Sequence, residues 1–164
     1  MTRILDLSEL ERSRRSIDTP APAAMRGLRA LLAVAVLVSI VHYTDNTPDY
    51  DAYPQPTSGP APSRALVAAS WFGFTAFAVA AYLLLRRGRR TAAVACLALY
   101  AGSGLVGIGH YTVAGATEMA WWRQAHIVAD IACGVAILAY AIWLIRRPEG
   151  GECTGHDAGR TRPA

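Results

Sequence analysis

Charged residues and cysteine are scarce in this sequence, and lysine is absent. Charged side chains make up 17% of the 164 residues, 53% are hydrophobic, and the mean hydropathy is +0.25. This balance excludes an ordinary soluble domain. The three cysteines form no Cys-x-x-Cys pair, which excludes a disulfide framework and a zinc-finger pattern. The composition therefore indicates an integral membrane protein, for which the lipid bilayer is a partner.

All sixteen basic residues are arginine, and with twelve acidic residues they give a net charge of +4. This small excess indicates no nucleic-acid partner, because positive charge in a membrane protein records its orientation. A basic complement made of arginine alone is typical of a GC-rich bacterial genome. We therefore expect the chain to be a multi-pass protein of the cytoplasmic membrane.

Four apolar stretches are long enough to cross a bilayer as helices. They cover residues 28–43, 65–85, 91–111 and 126–145, and none contains proline. The second is ~31 Å long as a helix, which matches the hydrocarbon thickness. We predict an all-α, four-helix membrane bundle over 26–147. The polar segments 1–25 and 148–164 have too few apolar residues to form a packed domain and are predicted to be disordered.

The arginines indicate how the bundle is oriented. Four spans put both termini on one side, and fourteen of the sixteen arginines then lie on that side. Only Arg64 and Arg123 lie in the two loops on the other side. The positive-inside rule therefore predicts cytoplasmic termini.

Small residues indicate where helices pack closely. The third span contains four glycines and Ser103, with Ser103 and Gly107 in small-xxx-small spacing. We expect this helix at the centre of the bundle. Gly73 and Gly134 are predicted to allow the same close approach in the second and fourth spans.

Ionisable residues concentrate near the external ends of the spans. Three of the four histidines lie there: His42, His110 and His126. Asp130 lies one turn deeper than His126, where a charged carboxylate costs up to about 2.5–3.5 kcal/mol, so we expect it to face the bundle and to have a partner. His126 shares its face at i−4. Arg123 extends this polar edge, which is predicted to face the third helix.

Four further polar residues surround these histidines near the external ends of the spans: Asp45, Asn46, Glu118 and Gln124. The inner halves of the spans carry almost only apolar side chains and arginines. This asymmetry predicts a polar site that faces outside.

The leading functional hypothesis from the sequence is a metal or haem site. Imidazoles of His42, His110 and His126 could bind a transition metal, with Asp130 as a ligand or orienting His126. For haem, two of these histidines would be axial ligands and Arg123 would bind a propionate. No HExxH, CxxCH or di-iron motif accompanies them.

Three alternatives remain open from the sequence. The first is a non-catalytic membrane subunit whose polar cluster is structural, with a membrane-protein partner or a second copy of the chain. The second is an acid–base enzyme that acts on an amphiphilic substrate, with His126 and Asp130 as the catalytic candidates. The third is a sensor of external pH. Transport is disfavoured, because no span has a charge or proline at its middle.

Overall fold

A computed structural model describes residues 22–55 and 61–147 of the chain. Within these ranges the protein is helical and contains no strand. The four long helices are α1 (Pro22–Asn46), α2 (Arg64–Arg86), α3 (Arg90–Leu105) and α4 (Trp121–Arg146). Each is long and apolar enough to cross a membrane when α3 is counted with its continuation to Thr112. The prediction of four apolar helices is confirmed. The segments predicted to be disordered, 1–25 and 148–164, lie outside the described residues apart from 22–25.

Helices α1, α2 and α4 are longer than the predicted spans because polar and proline residues also fit their ends, whereas α3 ends at Leu105, before the end of the predicted third span. α1 begins at Pro22, where the missing amide hydrogen leaves no helical hydrogen bond unmade. At the start of α2 the Ser63 side chain accepts a hydrogen bond from the Leu66 amide at 3.2 Å, as an N-cap does. A tight turn joins α2 to α3 through Gly88, whose φ of 71° suits glycine.

Helices that are consecutive in the chain pack side by side, and α4 also packs against α1, which closes a ring. Buried leucines fill the end of the bundle that holds the turn between α2 and α3; they are Leu28, Leu85, Leu97 and Leu144. At the opposite end the buried residues include His42, His126 and Asp130. One end of the bundle is thus an apolar core, and the other is a polar site.

The closest helix contact joins α3 and α4 through Gly104 and Gly134. A Cβ atom on Gly104 would lie 2.2 Å from the Asp130 carbonyl oxygen, and one on Gly134 would lie 2.8 Å from the Ala101 carbonyl oxygen. Close packing of the third helix is therefore present. The role predicted for Gly73 is wrong, since a Cβ atom there would meet nothing within 4 Å.

Two irregular segments complete the polar end. The chain continues beyond α3 as a 3-10 helix over Val106–Thr112, which rises ~2.0 Å per residue instead of ~1.5 Å. Between α1 and α2 a short 3-10 turn, Tyr50–Ala52, leads to Tyr53, which is 1% exposed. This loop therefore folds over the end of the bundle.

Candidate functional site

The polar end brings together the three histidines and the aspartate that the sequence indicated. The His42 ring centroid lies 5.7 Å from that of His110 and 5.2 Å from that of His126. His42 comes from α1, His110 from the 3-10 continuation of α3, and His126 and Asp130 from α4. Three separate helical segments thus contribute to one site.

Asp130 is paired with His42. The Asp130 Oδ2 atom lies 3.0 Å from His42 Nδ1, and both side chains are at most 5% exposed. An ionised carboxylate can only accept, so in the neutral His42 paired with it Nδ1 carries the hydrogen and Nε2 has the free lone pair. Nε2 is buried and has no hydrogen-bond partner. The prediction that His126 is the partner of Asp130 is wrong, because the packing of α1 against α4 brings His42 next to the carboxylate.

A second polar network joins the start of α4 to the end of α1. The Arg123 guanidinium donates from Nε to Asp45 Oδ2 at 3.2 Å and from Nη2 to Asp49 Oδ2 at 2.7 Å. The Tyr53 hydroxyl also donates to Asp45. Arg123 therefore faces α1 and the loop after it, so the prediction that this edge faces the third helix is wrong for Arg123, whereas the backbone at Asp130 does lie against Gly104 of α3. We call Arg123, Asp45, Asp49 and Tyr53 the outer clamp.

The outer clamp changes the acidity of Tyr53. Burial of the phenol, together with its hydrogen bond to the Asp45 carboxylate, raises the pKa of Tyr53 far above its ordinary value. The Arg123 guanidinium lies 5.4 Å from the centre of the Tyr53 ring and opposes this shift. Tyr53 is consequently a hydrogen-bond donor and not an anion at neutral pH.

His126 lies between the clamp and the His42–Asp130 pair. Its Nε2 atom is 3.4 Å from Asp45 Oδ2, but the angles do not make a hydrogen bond, and both ring nitrogens are buried without a partner. The Trp122 ring covers it, with ring centroids 5.8 Å apart. His126 is thus close to a carboxylate but less firmly held than His42.

A cavity of about 490 Å³ opens beside the His42–Asp130 pair, between α1, α2 and the 3-10 continuation of α3. This volume falls in the range of small-molecule sites. Its polar lining includes His42, Asn46, Tyr50, Gln55, Ser103 and His110. The Ser103 hydroxyl is buried and has no hydrogen-bond partner. Two unpaired polar groups, His42 Nε2 and Ser103 Oγ, therefore belong to residues that line this cavity.

Some residues have a different place from the one the sequence indicated. Glu118 is exposed, and Gln124 donates to the carbonyls of Thr117 and Met119, so neither joins the histidines. Ser103, expected only as a packing residue, lines the cavity. Tyr53 was missed, since no spacing relative to a helix marks a loop residue that folds back.

The predicted metal or haem centre requires several donor atoms to converge on one point. Across 22–55 and 61–147, no group of three or more His, Cys, Asp or Glu side chains is arranged to hold a metal ion. Arg123, the residue predicted for a haem propionate, is bound to two carboxylates. The metal or haem hypothesis therefore gains no support from this geometry.

Comparison of the chain with family models, with curated proteins and with solved structures gives no match. The inference of function therefore depends on the site itself.

Proposed function

We propose that this protein carries out acid–base chemistry on an amphiphilic molecule that reaches the cavity from the bilayer. One observation carries the proposal. His42 lines the cavity, its Nδ1 is held by Asp130, and its buried Nε2 has no partner within the protein. A buried nitrogen with a free lone pair beside a cavity is positioned to accept a proton from a bound molecule.

The proposal includes a location in the cytoplasmic membrane with the site on the external side. Four apolar helices support the location in a membrane, and the distribution of arginine supports the external side. The run of four arginines over 86–90 marks the turn between α2 and α3, which lies at the end of the bundle opposite the site.

His42 is the proposed general base, and Asp130 is its positioning residue. The carboxylate fixes the imidazole tautomer, and it stabilises the imidazolium that forms when Nε2 takes up a proton. The sequence indicated His126 and Asp130 for the proton work. The geometry supports His42 instead of His126, because only His42 has both a carboxylate partner and a place in the cavity wall.

His110 supplies a second proton-transfer group for the same cavity. Its ring lies 5.7 Å from that of His42, and it lines the cavity as well. Proton abstraction at one point of a ligand and protonation at another requires two such groups. We assign His110 the role of returning a proton, or of hydrogen-bonding the polar end of the ligand.

The outer clamp is assigned a structural role. Arg123 holds two carboxylates that belong to the end of α1 and to the loop beyond it, and Tyr53 closes this network from the loop. The structural hypothesis from the sequence therefore applies to this clamp, whereas the chemistry is assigned to the His42–Asp130 pair.

Diethyl pyrocarbonate tests the proposed base, because it acylates an imidazole nitrogen only when that nitrogen has a free lone pair. The protein is treated in phosphatidylcholine vesicles, and the acylated fraction of each histidine is measured by peptide mass spectrometry. We expect acylation of His42 in the wild type. In Asp130→Asn we expect acylation to be about tenfold slower, because the neutral amide no longer stabilises the positive charge that develops on the imidazole and, where its NH2 group faces Nδ1, moves the hydrogen to Nε2.

The acylation of His110 in the same samples is the internal control, since His110 has no bond to Asp130. A folded wild-type protein whose His42 resists the reagent would refute the proposal. So would an Asp130→Asn protein that reacts at His42 as fast as the wild type while His110 is unchanged.

A further inference from the structure

The cavity wall carries hydrogen-bonding groups but no formal charge. None of the described residues that line it is Asp, Glu, Lys or Arg. The charged residues nearby already have partners: Asp130 is bonded to His42, Arg123 binds Asp45 and Asp49, and Arg64 binds Asp51. A charged ligand group that moved from water into the cavity would find no counter-charge in the wall. The free energy of that transfer would be strongly unfavourable.

Unpaired polar groups belong to His42 and Ser103, whereas polar groups of the loop already have partners. The Tyr50 hydroxyl donates to Gln55 Oε1 at 3.0 Å, and the Gln55 amide donates to the Tyr53 carbonyl at 3.1 Å. In contrast, His42 Nε2 and Ser103 Oγ are buried without partners. An unpaired acceptor and an unpaired hydroxyl together complement a ligand hydroxyl, which can donate to one and accept from the other.

A second groove lies beside the cavity, on the other side of Tyr43. It has a volume of about 410 Å³ and lies on the outer side of the seam between α1 and α2, lined by Ile40, Ala68 and Phe72 among others. Tyr43 lines both the cavity and this groove. Of the neighbouring helix pairs in the ring, α1 and α2 make the least contact. An apolar chain can therefore lie in the seam while its polar end is in the cavity.

Given the proposed function, on which this inference rests, we propose that the ligand is an uncharged amphiphile with one apolar chain and a terminal hydroxyl. The hydroxyl donates to His42 Nε2 and accepts from Ser103 Oγ. The chain passes Tyr43 and follows the groove between α1 and α2 into the outer leaflet. A long-chain primary alcohol is the simplest molecule of this class.

Photo-crosslinking with competition tests this ligand class. The full chain in phosphatidylcholine vesicles is irradiated with a long-chain alcohol that bears a diazirine on its chain, and labelled residues are mapped by mass spectrometry. We expect saturable labelling of residues along the cavity and the groove, such as Tyr43, Leu66 and Phe72. Labelling that does not saturate, or that lies elsewhere, would overturn the inference.

The competitors share one chain and differ only in the polar end: the alcohol, its methyl ether, the alkyl phosphate and the alkyltrimethylammonium. We expect the unlabelled alcohol to suppress labelling at concentrations roughly tenfold or more below those of the other three, because each of them lacks the donor or buries a charge. Equal competition by the ether would refute the hydroxyl, and equal competition by a charged analogue would refute the neutral head.

Two pairs of variants locate the site. Val67→Trp fills the cavity from α2 and is expected to abolish saturable labelling, whereas Val79→Trp, at a position on the same helix that is 55% exposed, is expected to retain it. Ser103→Ala is expected to weaken competition by the alcohol and by the ether to a similar degree, because both accept from Ser103 Oγ. Ser70→Ala, which changes a cavity hydroxyl that donates to the Val67 carbonyl at 2.7 Å, is expected to leave both unchanged. Thermal stability of each variant checks that it is folded.

The outcome is distinguishable from that of the acylation experiment. If His42 reacts with diethyl pyrocarbonate in an Asp130-dependent way but the alcohol does not label the cavity, the ligand class is wrong and the proposed base stands. If the alcohol labels the cavity saturably but His42 is inert, the site binds a neutral amphiphile and the proposed chemistry is wrong.

Discussion

Gly104→Ala is the most direct perturbation of the contact that supports the site. The added Cβ atom would lie 2.2 Å from the Asp130 carbonyl oxygen, about 1.2 Å short of the 3.4 Å at which ordinary van der Waals contact begins. Backbone atoms lie on both sides, so neither can turn away as a side chain could. Helices α3 and α4 must therefore separate by about that distance.

The separation has an energetic cost that can be approximated. A gap of ~0.5–1 Å already loses a quarter to a half of each dispersion contact, and overpacked positions usually lower stability by about 1–3 kcal/mol. We expect Gly104→Ala to lower the free energy of unfolding by an amount in that range. The displaced residue is Asp130 itself, so the geometry of its 3.0 Å bond to His42 changes as well.

Two assays measure these effects. Reversible unfolding in mixed detergent micelles, followed by tryptophan fluorescence, gives the free energy of unfolding, and acylation by diethyl pyrocarbonate reports on His42. Gly73→Ala is the matched control, since its Cβ atom meets nothing within 4 Å. A Gly104→Ala protein as stable as Gly73→Ala would refute the reasoning, because it would mean that α3 and α4 do not touch at this point.

Two further predictions concern the outer clamp. Arg123→Gln should lower the free energy of unfolding by about 1–3 kcal/mol, because it leaves the Asp45 carboxylate, whose side chain is 13% exposed, without its cation. In the same unfolding assay, the double variant Arg123→Gln with Asp45→Asn should recover part of that loss. If the losses of the two single variants simply add in the double variant, the pairing is contradicted. The raised pKa of Tyr53 favours the protonated phenol in the folded protein, so its contribution to stability is present below pH 10 and is lost as the pH rises beyond that value. Unfolding measured between neutral pH and about pH 11 should therefore show a steeper alkaline loss of stability in the wild type than in Tyr53→Phe; parallel curves would show that Tyr53 does not titrate differently in the folded and unfolded states.

The helices could be predicted from the sequence because hydropathy depends on composition over about twenty residues. The second span, 65–85, differs from the observed α2 by one residue at each end. The helix ends were less predictable. Pro22 was placed outside the first span, although a proline is tolerated in the first turn. The change from α to 3-10 geometry at Val106 has no marker in the hydropathy pattern.

The residues that form the site could be predicted from the sequence, but the pairs in which they interact could not. Asp130 was recognisable because a carboxylate deep in an apolar helix requires a partner. Its partner could not be identified, because the choice between His126 on the same helix and His42 on another depends on how α1 is rotated against α4. Spacing along one helix gives no information about that rotation. For the same reason Ser103 was assigned only to helix packing.

The contact that closes the ring joins the first of the described helices, α1, to the last, α4, and this sets the order in which the site can form. His42 is made early, and its partner Asp130 follows 88 residues later, after α2 and α3. Before α4 packs against α1, the His42 imidazole has no carboxylate partner. When α4 packs, its Asp130 carboxylate requires a partner in the bundle, and His42 is then in place to pair with it. The pairing of His42 with Asp130 therefore has to wait for α4. A chain that stops before α4 would keep the rest of the cavity wall but would lack the carboxylate that orients His42, so the proposed chemistry would require α4 to be in place.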